Sequence, residues 1–108
     1  MKRVSLGEFE EIVLLTVMLL EGNAYGVTIM HQIIEQTGRS VRLNQVHASL
    51  QRLEDKGMIK SKMSAPTNER GGRRKRLFTI TFYGQKTLEE IQAVRANLWG
   101  MISGLKNS

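Results

Sequence analysis

The chain has 108 residues, the length of one domain, which leaves little material for a separate catalytic domain. It contains no cysteine, which excludes disulfides, zinc–thiolate sites and thiol nucleophiles, and its two histidines are too few for a histidine-based metal site. The first residues do not form a secretory signal, and the longest apolar run, residues 12–20, is well short of the roughly 20 residues that cross a bilayer. We therefore expect a small cytoplasmic protein with no membrane partner.

The charge is concentrated in the middle third of the chain. Residues 1–38 carry a net charge of −3, and residues 77–108 carry +1. Residues 39–76 carry eleven basic and three acidic side chains, a net of +8. A basic block in an otherwise acidic or neutral chain favours a polyanionic partner. The alternative is a solvated basic face with no partner.

The first helix is predicted to begin after Ser5, which forms a capping box with Glu8, and to end just before Gly22. Within residues 12–20 only Thr16 is polar, so the helix is apolar around nearly its whole circumference. The apolar side chains of such a helix must be buried on more than one side. In a chain this short, a homodimer is the simplest way to bury them.

Two further helices are predicted over residues 25–37 and 44–56, each followed by a glycine. The apolar face of the second helix consists of Val27, Met30, Ile33 and Ile34. That of the third consists of Val46, Leu50 and Leu53. The opposite face of the third helix carries Asn44, His47, Ala48, Gln51, Arg52 and Asp55.

After the third helix the apolar period becomes alternating, which predicts a β-hairpin with strands at residues 58–63 and 76–81. The connection between the strands contains Pro66, Gly71 and Gly72 as turn formers and ends in a basic run. A final helix is predicted from Tyr83 to about Leu105. Its apolar stripe consists of Ile91, Val94, Leu98, Ile102 and Leu105.

This order of elements predicts a mainly α fold with a small β-hairpin, a winged helix-turn-helix followed by a C-terminal dimerisation helix. We place the winged-helix DNA-binding domain in residues 1–82 and the dimerisation helix in residues 83–108. In such a fold the third helix enters the DNA major groove and the hairpin contacts the neighbouring backbone. The predicted DNA-binding residues are Asn44, Gln45, His47, Gln51, Arg52, Lys62, Arg73, Arg74 and Lys75.

Four segments, in order, resemble the PadR family of bacterial transcriptional regulators, in its short form with a single C-terminal helix. They read LGEFEE from residue 6, AYGVTI from residue 24, ASLQRLEDKGMI from residue 48, and RRKRLFTIT from residue 73, the last followed by Gly84. The chain departs from the family at Asn44 and His47, where Gly and Tyr are usual, and in having Leu77 and Phe78 in place of paired tyrosines. The resemblance implies that an aromatic at the position of His47 contacts phosphate.

The resemblance also implies that the last helix forms the dimer and that one of its aromatics lines a pocket for flat, hydrophobic effectors between the subunits. The predicted dimer contacts are Val13, Val17, Ile91, Leu98, Ile102 and Leu105. The predicted effector contacts are Trp99, Met18, Arg95 and Met101. Arg95 lies close to the apolar stripe, so it needs a carboxylate from the first helix or an aromatic face.

Two alternatives remain open at this interface. Trp99 is either an effector contact or a packing residue that secures the dimer. The chain is either a dimer or a monomer whose last helix folds back on its first.

We predict no enzyme, cofactor or metal site. The paired carboxylates are sequence neighbours that diverge by about 100° on a helix, so they cannot flank one substrate. The predicted function is sequence-specific transcriptional regulation by a homodimeric repressor bound to a palindromic operator in double-stranded DNA and released by a small planar aromatic effector. The alternative is a winged-helix protein–protein interaction module that uses its basic hairpin for an acidic partner.

Overall fold

The computed structural model of the protein describes residues 6–65 and 74–106. Its elements are α1 (Glu8–Leu19), α2 (Gly26–Thr37), α3 (Leu43–Asp55), β1 (Ile59–Met63), β2 (Arg76–Ile80) and α4 (Phe82–Lys106). The predicted fold class is confirmed, because the described chain is mainly helical with one antiparallel hairpin. None of the described helices is long and apolar enough to cross a membrane.

Helix α1 begins two residues later than predicted. Its N-cap is Gly7, whose backbone N–H donates to Oε1 of Glu10 at 3.4 Å. Glu8, the predicted capping carboxylate, instead pairs with Nη1 of Arg39 at 2.7 Å. The prediction that Ser5 caps this helix is therefore wrong, and Ser5 itself lies outside the described residues. Glu8 and Glu10 each lie three residues after a possible N-cap, and in the structure Glu10 is the one that contacts the N-cap backbone.

The hydrophobic core lies where the first three helices meet the base of the hairpin. Its buried apolar side chains are Val13, Leu14, Val17, Ala24, Ile29, Ile33, Val46, Leu50, Leu53, Met58, Ile59, Phe78 and Leu88. The predicted apolar face of α3 is confirmed. That of α2 is wrong in part, since Ile29 and Ile33 are buried while Val27 and Ile34 are more than a third exposed. The buried pair lies four residues apart along the line where α2 faces the core.

The hairpin is joined to the helical body on both of its strands. Its register pairs Ile59 with Ile80 and Met63 with Arg76. The backbone N–H of Phe78 donates to the carbonyl oxygen of Ala24 at 2.8 Å, which places β2 beside the first turn of α2.

Helix α4 packs onto the body through its first half. Gly84 and Leu88 are buried, and a Cβ on Gly84 would collide with the carbonyl oxygen of Met58. Further along, Val94, Leu98 and Ile102 are 51%, 55% and 40% exposed. A monomer in which α4 folds back on α1 would bury these side chains, so that alternative is not the observed arrangement.

Candidate nucleic-acid interface

The exposed face of α3 carries the polar side chains predicted to meet DNA. Because Val46, Leu50 and Leu53 are buried on one side, Asn44, His47, Gln51 and Arg52 lie on the exposed side. The side-chain amide of Gln51 donates to Oδ1 of Asp55 at 3.0 Å, and Nη2 of Arg52 donates to Oγ of Ser49 at 3.1 Å. These contacts hold both side chains along the helix and leave them accessible from solvent.

The Gln45 side chain has a structural role that the sequence interpretation missed. Its Oε1 accepts a hydrogen bond from the backbone N–H of Arg42, the N-cap of α3, at 2.8 Å. The three-residue spacing from N-cap to Gln is the available signal, since it is that of a capping box. The Gln45 side chain thus stabilises the start of α3 as well as being exposed on it.

The loop end of the hairpin presents the predicted basic residues. Lys62, Arg74 and Lys75 are exposed, whereas Arg73 lies outside the described residues. Two hydrogen bonds between Ser64 and Lys75 join the two strands just before the connecting loop: the N–H of Ser64 donates to the carbonyl of Lys75 at 2.7 Å, and the N–H of Lys75 donates to Oγ of Ser64 at 2.8 Å. The basic side chains therefore start from hydrogen-bonded backbone at the end of the two strands.

A small pocket lies between α2, α3 and the start of β2. Its volume is about 160 Å³. It is lined by Tyr25, Gly26, Val27, His47, Lys75, Arg76 and Phe78. The structure thus brings the predicted residues His47 and Lys75 together with Tyr25, which the sequence interpretation did not select.

Glycine at position 26 makes this pocket possible. A Cβ there would lie 2.6 Å from Cε1 and 3.0 Å from Nε2 of His47, closer than packed atoms approach. The imidazole therefore rests directly against the first turn of α2. The Tyr-Gly pair at positions 25 and 26 was the available sequence signal, because a glycine that opens a helix often marks a close approach.

A polar network fixes the hairpin relative to α3. Both carboxylate oxygens of Glu54 accept from Oγ of Ser61, at 3.3 and 3.1 Å, and Oε1 also accepts from Nη2 of Arg76 at 3.5 Å. Nε of Arg76 donates to Oγ of Ser61 at 2.9 Å. One α3 carboxylate thus contacts both strands. None of the three residues was selected from the sequence, because their positions are seven or more apart along the chain.

The acidic residues of α1 are paired with cations. Nζ of Lys56 lies 2.8 Å from Oε2 of Glu10. Burial raises the pKa of Glu10, but the hydrogen bond and charge of Lys56, with contributions from Gly7 and Arg52, outweigh it and leave that pKa below its ordinary value. The hydrogen bond and charge of Arg39 likewise lower the pKa of Glu8. These carboxylates remain ionised near neutral pH, so the unbalanced positive charge lies on the side of α3 and the hairpin.

The predicted effector residues are exposed or ion-paired in the single chain. Trp99 is 65% exposed, and Met18 and Met101 are exposed as well. The carboxylate that Arg95 needs comes from Glu11 of α1, 2.9 Å away. Within residues 6–65 and 74–106, no group of three or more His, Asp or Glu side chains is placed to hold a metal ion.

Two of the predicted dimer contacts need correction. Val13 and Val17 are 0% and 1% exposed because they pack in the core of their own chain. They therefore have no surface to offer a second subunit. The exposed side of α1 carries Leu15, Met18 and Leu19 instead.

Residues 14–90 match the sequence model of a family described as the transcriptional regulator PadR-like family. The chain belongs to this PadR-like family. The resemblance read from the four sequence segments is thereby confirmed, and the winged-helix fold is the family's own. No curated protein sequence matches the chain.

Solved structures of transcriptional regulators share this PadR-like fold. A Streptococcus transcriptional regulator superposes with a TM-score of 0.71 at 20% identity, covering 91% of each chain. A PadR family transcription regulator from Clostridium difficile has a TM-score of 0.58 at 26% identity, covering 90% of this chain and 94% of its own. Bacillus subtilis PadR in complex with operator DNA has a TM-score of 0.63 at 22% identity, covering 79% of this chain but only 46% of its own.

Proposed function

We propose that this PadR-family protein is a sequence-specific repressor that binds a palindromic operator as a homodimer in the cytoplasm. The observation that carries the proposal is the exposed polar face of α3 beside the exposed basic side chains at the loop end of the hairpin, with Glu54 of α3 bonded to both strands. That the related Bacillus subtilis PadR was solved with operator DNA supports the same partner for this chain.

In this proposal α3 reads bases and the hairpin binds phosphates. Asn44 and Gln51 present carboxamides, which can pair bidentately with adenine in the major groove, and Arg52 suits guanine or a phosphate. Lys62, Arg74 and Lys75 supply charge that neutralises the backbone and makes the affinity depend on salt. Base readout gives specificity, whereas the phosphate contacts set the register.

The dimer is proposed to form through the exposed apolar side chains of α4 together with the exposed side of α1. Val94, Leu98 and Ile102 of α4 lie in the part of the helix that projects from the body. Burying apolar surface contributes about 25 cal/mol per Å², and a second copy offers the same surface by twofold symmetry. In this proposal the winged-helix domain of residues 1–82 binds DNA, and residues 83–108 form the dimerisation helix. The first turns of that helix pack on the DNA-binding domain.

The effector site is proposed at Trp99, between the two subunits. The exposed indole can stack on a flat aromatic ligand, and Met18 and Met101 are flexible side chains that adapt to different ligands. Arg95 borders this region while paired with Glu11. A ligand that prefers a helix spacing unsuited to the operator weakens DNA binding, and by reciprocity DNA weakens ligand binding.

Selection of bound sites from random duplex DNA tests the function directly. We expect enrichment of a palindrome whose half-sites lie about ten base pairs apart, the spacing of two recognition helices about 34–36 Å apart. The Asn44→Ala/Gln51→Ala variant is the matched control, since both side chains are exposed and the variant should fold yet lose the enrichment. A folded protein that enriches no sequence would overturn the proposal in favour of a protein–protein interaction module.

A further inference from the structure

We propose that Asp55 is a positioning residue for DNA recognition, because it fixes the orientation of the Gln51 carboxamide and so makes that side chain prefer adenine over guanine. The inference rests on the proposed function, in which α3 reads bases in the major groove. It goes beyond that function by naming one base of the operator half-site and the residue that enforces the choice of that base.

The two side chains lie next to each other on the exposed surface of α3. Residues four apart share one face of a helix, and a hydrogen bond between Gln and Asp at this spacing stabilises the pair. Nε2 of Gln51 donates to Oδ1 of Asp55 at 3.0 Å. A carboxylate has no hydrogen to donate, so only the amino group of the carboxamide can bond to it. Asp55 therefore selects one of the two amide orientations of Gln51.

In this orientation Gln51 has one donor and one acceptor left to offer to a base. One N–H of Nε2 is used by Asp55, so the other N–H and Oε1 remain. Adenine presents the complementary pair in the major groove, an acceptor at N7 and a donor at N6, whereas guanine presents two acceptors, N7 and O6. Gln51 can thus form two hydrogen bonds with adenine, while on guanine its oxygen would face a second acceptor. A carboxamide that was free to turn over could place its amino group toward guanine instead.

Apart from this contact, Asp55 is an unfavourable residue at its position. It is the last residue of α3, where a negative charge opposes the helix dipole. It also lies in the basic middle third of the chain, where a carboxylate weakens the attraction to DNA phosphates. Glu54, next to it, is bonded to both strands of the hairpin. Asp55 instead contacts Gln51 within its own helix, so orientation of that side chain is the contribution that its position supports.

The test compares the affinities of the full chain for duplexes that differ at one base pair. The wild-type chain first selects its preferred site from random duplexes. The same selection with Gln51→Ala then shows which position of the half-site depends on Gln51. We expect that position to be an adenine, preferred over guanine by about tenfold or more, the discrimination that one bidentate base contact provides.

Three further variants show whether Asp55 enforces this preference. Asp55→Asn has nearly the same shape but gains an amino group, so either side of the Gln51 carboxamide can pair with it. We expect it to bind both duplexes more tightly, because it lacks one negative charge, and to lose most of the preference for adenine. Asp55→Glu keeps a carboxylate that only accepts, and it should retain the preference. Glu35→Gln is the matched control, since it removes an exposed carboxylate from α2 and should leave the ratio of the two affinities unchanged.

The ratio of the two affinities separates orientation from the other roles that Asp55 could have. A structural or purely electrostatic role would change both affinities alike and leave their ratio unaltered. The inference is overturned if Asp55→Asn keeps the wild-type ratio, if Asp55→Glu loses the preference as Asp55→Asn does, or if the base that depends on Gln51 is not adenine. Each of these results leaves DNA binding intact. A wild-type chain that selects no site overturns the proposed function itself.

Discussion

Nη2 of Arg95 on α4 donates to Oε1 of Glu11 on α1 at 2.9 Å. This ion pair lies where α4 leaves the body. Before it, Gly84 and Leu88 are buried, and beyond it Leu98 and Ile102 are exposed. The first part of α4 therefore belongs to the fold of its own chain, whereas the second part exposes its apolar side chains.

Leu98→Glu is expected to convert the proposed dimer to a folded monomer. Leu98 is 55% exposed in the single chain, so a carboxylate there is tolerated by the fold but is costly in a buried interface. Asn97→Glu adds the same charge at the adjacent exposed polar position and should remain dimeric. Sedimentation at micromolar concentration measures both. A wild-type chain that sediments as a folded monomer contradicts the proposed dimer.

A flat aromatic ligand is expected to quench Trp99 fluorescence saturably and to release the operator. Trp99 is the only tryptophan, so the signal reports this site alone. Planar phenolics, dyes and antibiotics form a suitable panel. Trp99→Phe should still bind DNA but respond less to the ligand. If no member of the panel quenches the fluorescence or changes DNA affinity, Trp99 serves to pack the dimer.

Gln51→Ala and Arg74→Ala should affect DNA binding in different ways. Loss of the Gln51 carboxamide should cost about 1–3 kcal/mol on the preferred site and little on random DNA. Loss of the Arg74 charge should weaken both alike and reduce the slope of log affinity against log salt by about one. Titrations at several salt concentrations measure both effects. Equal weakening of specific and random binding by Gln51→Ala would show that α3 does not read bases.

Gly84→Ala should destabilise the protein by about 1–3 kcal/mol, because its Cβ would collide with the carbonyl oxygen of Met58. Gly100→Ala makes the same change later in the same helix, where nothing lies within 4 Å of the new Cβ. That variant should gain about 0.5–1 kcal/mol from helix propensity. Urea unfolding at equal protein concentration compares them. Equal stability of the two variants would argue against close packing of α4 against Met58.

Glu10→Gln should destabilise the protein at neutral pH but not in acid. Since the pKa of Glu10 is lowered on folding, its contribution is complete above the unfolded pKa and is lost as pH falls through the folded pKa. We expect a difference of about 1 kcal/mol or less at neutral pH, which decreases in acid. Glu8→Gln removes an exposed pair and should change stability little. Unfolding by urea over a series of pH values from neutral into acid provides the measurement, and a Glu10→Gln effect that does not decrease in acid would contradict this account.

Much of the architecture could be predicted from sequence periodicity alone. The amphipathic pattern of α3 determines which side is buried, because Val46, Leu50 and Leu53 recur at helical spacing while polar residues occupy the other side. The change to an alternating pattern after Gly57 likewise indicates the hairpin. These features depend on residues that are close together in the chain.

Only the tertiary structure could decide which surface of α1 is internal. The helix is apolar around its circumference, so its sequence does not distinguish Val13 and Val17, which are buried, from Leu15 and Leu19, which are exposed. The packing of α2, α3 and the hairpin against one side makes that distinction. For this reason the sequence indicated that α1 must be buried on several sides, but the predicted dimer contacts Val13 and Val17 are the side chains buried within their own chain.

The pocket between α2, α3 and the start of β2 depends on the tertiary structure in the same way. Tyr25, His47 and Lys75 are more than 20 residues apart in the chain, and each is an ordinary residue in its own segment. They meet because the backbone of Phe78 is bonded to Ala24, which places β2 beside the start of α2, and because Gly26 leaves room for the imidazole. Periodicity records which way a side chain faces within its own element, whereas contacts between elements depend on how those elements pack.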